Sequence, residues 1–162
     1  MNDEARQIIA KLGLEPLPGE GGWFRRTWES PEKVSPDRAA WAVIYFLVTP
    51  EDFSALHRLE TDEIWLFHAG DPLEHVILDP ADGRATVRRL GGDLLAGEIP
   101  QLVVSRATWQ GARIVPGGAR GWALVSCTMA PQWVERECTI GRQADLLTLF
   151  PAAHAQIVAL TR

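Results

Sequence analysis

Ser54-Ala55-Leu56-His57-Arg58-Leu59-Glu60-Thr61-Asp62-Glu63-Ile64-Trp65-Leu66-Phe67-His68-Ala69-Gly70-Asp71-Pro72 is the stretch on which the fold turns. It holds two apolar, β-prone runs, Phe53 to Leu59 and Glu63 to Ala69, joined by the turn residues Glu60-Thr61-Asp62 and closed by Gly70-Asp71-Pro72. Side chains alternate along a strand, so Ala55, His57 and Leu59 share one face, and Glu63, Trp65 and Phe67 share another. If the two strands pair, the imidazole and the carboxylate converge on one interior. His68 has the opposite parity to Glu63 and should face away.

The pattern continues on both sides. Trp41 to Thr49 is rich in β-branched and aromatic residues. Leu73 to Leu78 and Ala85 to Leu90 read as a hairpin across Asp79 to Arg84, and Leu102 to Ser105, Trp109 to Val115 and Gly121 to Met129 continue the series. Helices are expected only at the ends. At the start, Ala5, Ile8, Ile9 and Leu12 share a helical face between a cap at Asn2 or Asp3 and a stop at Gly13. At the end, Ala144 to Phe150 and Ala152 to Leu160 read as two short helices. Many short strands with near-regular turns predict an all-β sandwich or barrel. No linker, repeat or low-complexity segment breaks residues 1–162, read as one domain with a barrel core at about 22–138.

Composition narrows the function classes. A chain of 162 residues with 46% hydrophobic residues can bury a core without staples. A net charge of −5, with only the short clusters Arg25-Arg26 and Arg88-Arg89 on the basic side, argues against nucleic acid. Cys127 and Cys138, with ten residues between them, are too widely spaced for a zinc ribbon or a C-x-x-C motif. They read as two buried free thiols in a reducing cytosol, with a disulfide as the open alternative. Asp3 and Glu4 stand where a signal peptide would be apolar, and the run Ala39 to Val48 is too short to span a bilayer. The expectation is a cytoplasmic protein with no membrane partner.

The residues quoted first resemble the cupin superfamily. His57, Glu63 and Gly70 fit the first histidine, the glutamate and the glycine of that superfamily's first motif, while Leu59 takes the second histidine's place. The second motif falls on Ser105 to Gln110, with Gln110 where a last metal-binding histidine is expected. The resemblance is closest to the small "cupin 5" subfamily, first catalogued as a domain of unknown function. It is carried by Glu20-Gly21-Gly22-Trp23-Phe24-Arg25, Ser54 to Pro72, Leu94 to Gln110 with Gly97 to Gln101, and Ala123 to Pro131. Leu17-Pro18-Gly19 departs from a histidine-proline pair expected before the glutamate. The resemblance implies a double-stranded β-helix (jelly-roll) barrel, a homodimer and a pocket in the barrel mouth, but no established reaction.

Several site readings follow. A cupin metal site offers three imidazoles and a carboxylate. Here the only candidates would be His57, Glu63 and the weak amide of Gln110, and His75 lies beyond the Gly70–Pro72 turn, so neither metal nor other cofactor is expected. The leading reading is a metal-independent site, of a sugar isomerase or epimerase type, acting on a small polar metabolite such as a carbohydrate. His57 is then the general acid or base and Glu63 its partner. Gln110 would hold a ligand oxygen, Trp65 and Trp109 would be walls, and Arg25 would take an anionic group. The alternatives are a non-catalytic ligand-binding or sensing module and a metal-dependent oxygenase or lyase. The plain reading of the first pair is a buried hydrogen-bonded couple. Most of the seven tryptophans, Trp41, Trp122 and Trp133 among them, are assigned to core or dimer interface.

Overall fold

The computed structural model describes residues 1–162. Its elements are α1 (Asp3–Leu12), β1 (Glu15–Pro16), β2 (Trp23–Glu29), β3 (Lys33–Ser35), β4 (Arg38–Ala39), β5 (Ala42–Val48), β6 (Ser54–Leu59), β7 (Glu63–Gly70), β8 (Leu73–Asp79), β9 (Arg84–Leu90), β10 (Gln101–Val104), β11 (Trp109–Ile114), β12 (Ala123–Met129), β13 (Cys138–Ile140), α2 (Gln143–Leu149) and α3 (His154–Ala159). Two antiparallel sheets carry the fold. One has the order β1-β2-β5-β12-β7-β10 and the other β13-β6-β11-β8-β9, with β3-β4 as a separate small hairpin. This is a jelly-roll barrel with short helices at its two ends.

The sheets turn one expectation around. β6 and β7 do not pair. β6 lies between β13 and β11 in the second sheet, and β7 lies between β12 and β10 in the first. Glu60-Thr61-Asp62 is therefore a corner from one sheet to the other rather than a hairpin. The alternation still holds, because facing sheets direct their inner residues at each other. His57 and Glu63 meet across the barrel instead of side by side.

The barrel interior is a cluster that includes Phe46, Trp65, Leu73, Leu90, Val104, Ala112, Val125 and Cys127. A second apolar layer lies outside the β6-β11-β8 sheet. There Leu146, Phe150, Ile157 and Leu160 of the C-terminal helices cover Leu56, Val76, Leu78 and Trp109. Each such buried aliphatic side chain contributes about 1.5–3 kcal/mol of transfer free energy, so the helices are held by their apolar stripe rather than by side-chain caps. At the other end, Asn2 Oδ1 accepts from the Ala5 amide at 2.9 Å, and Gly13 closes α1 at φ 63°. The α1 face then packs on Leu47 and Trp122. No helix is long and apolar enough to cross a membrane.

β2 is a strand that the alternation along the chain does not reveal. Its apolar pair Trp23-Phe24 is followed by Arg25-Arg26-Thr27-Trp28-Glu29, all exposed, so the period-2 signal fades where the strand leaves the core. The loop at 31–37 likewise contains a strand, β3.

Candidate functional site

A pocket of about 630 Å³, its open mouth included, enters the barrel between the two sheets. His57 (2% exposed) reaches it from β6 and Glu63 (7% exposed) from β7, with Trp65 (1% exposed) two residues further along the same strand. Leu59 also lines it, as do Phe24, Phe46, Cys127 and Trp133. The polar lining is completed by Glu20, Arg26 and Gln132.

Each polar group is held. Glu63 Oε2 accepts from Trp65 Nε1 at 3.0 Å and from Gln110 Nε2 at 2.7 Å. The Trp65 indole N–H also lies 3.1 Å from Gln110 Oε1, so the three form a small triangle. His57 Nδ1 lies 2.8 Å from the Ala55 carbonyl. A carbonyl only accepts, so Nδ1 carries the proton and Nε2 faces the pocket. Glu20 approaches from the loop before β2. Its Oε1 accepts from Ser54 Oγ at 2.7 Å, and its Oε2 stands 3.8 Å from His57 Nε2.

Burial sets the electrostatics. Removal from water pushes the Glu63 carboxyl up to about 7; the His57 ring pulls it down, the nearby Glu20 carboxylate adds to the rise, and the bonds from Gln110 and Trp65 lower it. A carboxyl poised there is part protonated at neutral pH and can give or take a proton. Burial, with the acidic neighbours Glu63 and Glu20, holds the Cys127 thiol well above its ordinary value, which keeps it an unreactive S–H. Cys138 is pushed up to about 12, chiefly by burial. Both cysteines are free, and Cys138 is half-buried rather than buried as expected.

The residues expected at the site divide by position. His57, Glu63 and Trp65 line the pocket. Gln110 sits behind Glu63, almost fully buried, with its amide committed to the carboxylate and the indole, so it positions a side chain instead of meeting a ligand oxygen. Trp109 does not line the pocket. Adjacent strand residues face opposite ways, and Gln110 opposes His57 while Trp109 opposes Arg58. Trp109 therefore lies in the outer layer beneath the C-terminal helices, with the Arg58 guanidinium 5.3 Å above its ring. Arg25 is exposed on β2 and donates to the Leu12 carbonyl at 2.8 Å, fastening the end of α1; its neighbour Arg26 has the parity that reaches the pocket. The tryptophans exchange roles as well. Trp133 lines the pocket, Trp122 is core, and Trp41 is 47% exposed, with its ring 5.0 Å from that of Trp28.

Two interior groups, Glu20 and His75, lie outside the set expected from the sequence. Glu20 had its signal in the double glycine that follows it. His75 had its signal in the alternation Leu73, His75, Ile77, which puts it inside: it is fully buried with its ring 4.8 Å from that of Trp65. Neither His75 ring nitrogen finds a hydrogen-bond partner. Burial, then the charge of His57, lowers the His75 imidazole to about 3, against a small opposing effect from Gln110.

The donor set does not fit a cupin metal. Leu59 presents hydrocarbon where the second imidazole belongs, Gln110 is already committed, and no group of three His, Cys, Asp or Glu side chains has metal-holding geometry.

Comparison with known proteins agrees with the geometry. A family described as "Cupin superfamily (DUF985)" matches residues 6–140. The crystal structure of a protein from Shewanella oneidensis is 34% identical with a TM-score of 0.90, covering 100% of this chain and 99% of that one. A hypothetical protein from Leishmania major is 35% identical with a TM-score of 0.87, over 97% and 98% of the two chains. A cupin 2 domain-containing protein from Halorhodospira halophila shares the fold alone, at 15% identity and a TM-score of 0.57 over 90% and 86%. No curated protein matches the chain.

Proposed function

The chain belongs to the DUF985 family of the cupin superfamily, and from that premise we propose that its pocket is a metal-independent acid–base site for isomerising or epimerising a small polar metabolite. The observation that carries the reading is the Glu63 carboxyl, lifted to about 7 inside a pocket that it shares with His57. In this reading His57 Nε2 removes the proton from a carbon next to a carbonyl. The Glu63 carboxyl gives its proton to the oxygen that gains charge; the enediol so formed takes a proton from His57 at the neighbouring carbon and gives a hydroxyl proton back to Glu63, so both groups are restored and the product is an isomer of the substrate. Gln110 and Trp65 hold Glu63 in place throughout. A sugar or related carbonyl compound is the preferred substrate, by analogy of fold only. The reading extends to the cytoplasm and to a homodimer, whose interface would take the exposed Trp28–Trp41 pair; light scattering at the monomer mass would count against the dimer.

Proton abstraction leaves an isotopic record. In D2O, a panel of small aldoses, ketoses and their amino-substituted counterparts followed by proton NMR should show one member gaining deuterium at the carbon next to its carbonyl, faster with protein than in buffer. Saturable binding without deuterium entry would favour the second reading, a non-catalytic binding module. That alternative is supported by the apolar bias of the pocket, in which 10 of 15 lining residues are hydrophobic. Neither binding nor exchange from any member would contradict the proposal.

A further inference from the structure

We propose that the ligand of this pocket carries a primary amino or ammonium group, seated between Glu20 and His57. The inference rests on the reading of the pocket as the ligand site, and it competes with the general-base role of His57, since an Nε2 that accepts from an amine does not take a proton from carbon in the same complex. Because the Ala55 carbonyl engages His57 Nδ1–H, Nε2 is the ring nitrogen that faces Glu20, and it is an acceptor whenever the ring carries no second proton. Glu20 spends Oε1 on Ser54 and leaves Oε2 without a hydrogen-bond partner, 3.8 Å from that nitrogen. Two acceptors at this separation cannot bond to each other. A hydroxyl, with one proton, satisfies one of them. An NH2 or NH3⁺ group satisfies both.

The rest of the pocket points the same way. Glu63 contributes another carboxyl, and Phe24, Phe46 and Trp133 line the same space with aromatic rings, the residue type that attracts a cation. Arg26, the one guanidinium of the lining, is 41% exposed and turns to Glu29 at 3.5 Å, so it does not stand waiting for an anion.

Glu20 is also built into its position. Its carbonyl accepts from the Ala55 amide at 2.9 Å and from Arg162 Nη1 at 2.6 Å. The chain then passes through Gly21 at φ 94° and Gly22 at φ 74°. A Cβ on Gly21 would lie 2.5 Å from the Phe53 carbonyl, and one on Gly22 would lie 2.5 Å from the Phe46 ring. Only glycine fits both positions, and the pair fixes the loop that aims the Glu20 carboxylate at His57.

The test uses three small probes of matched size: ethylammonium, ethanol and acetate. Each is titrated into isotopically labelled protein while NMR follows the Trp65 indole N–H. Ethylammonium should shift that resonance saturably, and ethanol and acetate should bind about tenfold or more weakly, the margin of one hydrogen bond to a charged group. Glu20→Gln should weaken ethylammonium by a similar factor and leave ethanol unchanged. Ser54→Ala, which frees the Glu20 carboxylate and removes only a hydroxyl, should act in the same direction if Glu20→Gln does not fold. Ethanol or acetate binding as well as ethylammonium, or an ethylammonium affinity indifferent to both substitutions, would overturn the amine while keeping the pocket as a ligand site. If none of the three reached Trp65, both would fall.

Discussion

His57→Ala should abolish deuterium entry into the substrate, with a loss of about 10²–10⁴-fold, the usual contribution of a positioned general base. The barrel should remain folded. His57 makes one hydrogen bond, to the Ala55 carbonyl, and sits at the pocket rather than in the apolar clusters. Its removal should cost no more than an ordinary substitution, about 1 kcal/mol, or a few degrees of melting temperature for a chain of this size. The same variant has a second signature. The His57 ring pulls the Glu63 carboxyl down, so without it the Glu63 midpoint should move to higher pH. A variant that exchanges deuterium as the wild type does would remove His57 from the reaction. A variant that unfolds would show the pair to be structural.

His75→Leu should reshape the dependence of stability on pH. In the folded barrel the His75 imidazole is lowered from 6.5 to about 3, mainly by burial. The unfolded chain binds the proton more readily, so this group's stability is fully present above pH 6.5 and is lost as pH falls toward 3. Each pH unit in that window is worth about 1.4 kcal/mol, and the loss reaches about 5 kcal/mol at pH 3. Glu63 works in the opposite sense. Its carboxyl is raised from 4.5 to about 7, so its contribution is full below pH 4.5 and is lost as pH rises to 7, about 3 kcal/mol in all. In the wild type the two slopes oppose each other between pH 4.5 and 6.5. With leucine at 75 only the Glu63 slope remains there, and the protein should be more stable at pH 5 than at pH 7. Leucine also removes two ring nitrogens that are buried without partners, so stability at pH 8 should hold or rise. Urea unfolding at pH 3.5, 5, 7 and 8 checks both statements. Parallel profiles for the two proteins would show that His75 is not buried in its neutral form.

Most of the strand order was legible because the barrel alternates inner and outer residues over short, turn-bounded runs. β5, β7, β8, β9 and β11 lie within a residue or two of their expected limits. The pairing of strands was not legible. A three-residue turn such as Glu60-Thr61-Asp62 serves a hairpin or a corner equally well, and only the far sheet decides which. Parity placed His57, Glu63 and Trp65 inside. The same rule, applied to Trp109 and Gln110 together, would have excluded one of them, since neighbours on a strand cannot share a face. Arg25 and Arg26 pose the same problem, and there the β2 register decides it. Glu20 was hidden because its position depends on a loop shape that glycine permits and that Arg162, 142 residues away in sequence, stabilises.

Glu63 is the centre of the proposed site: a carboxyl that exchanges its proton near neutral pH because the barrel buries it beside His57 and Glu20. Carbon-13 NMR of protein labelled at the glutamate side-chain carboxyl, titrated from pH 3 to pH 9 and assigned with Glu63→Gln, reads that property directly. One glutamate resonance should titrate with a midpoint near 7 and be absent from the variant. A Glu63 midpoint near the ordinary 4.5 would mean a solvated, permanently charged carboxylate, and would contradict the acid–base site built on it.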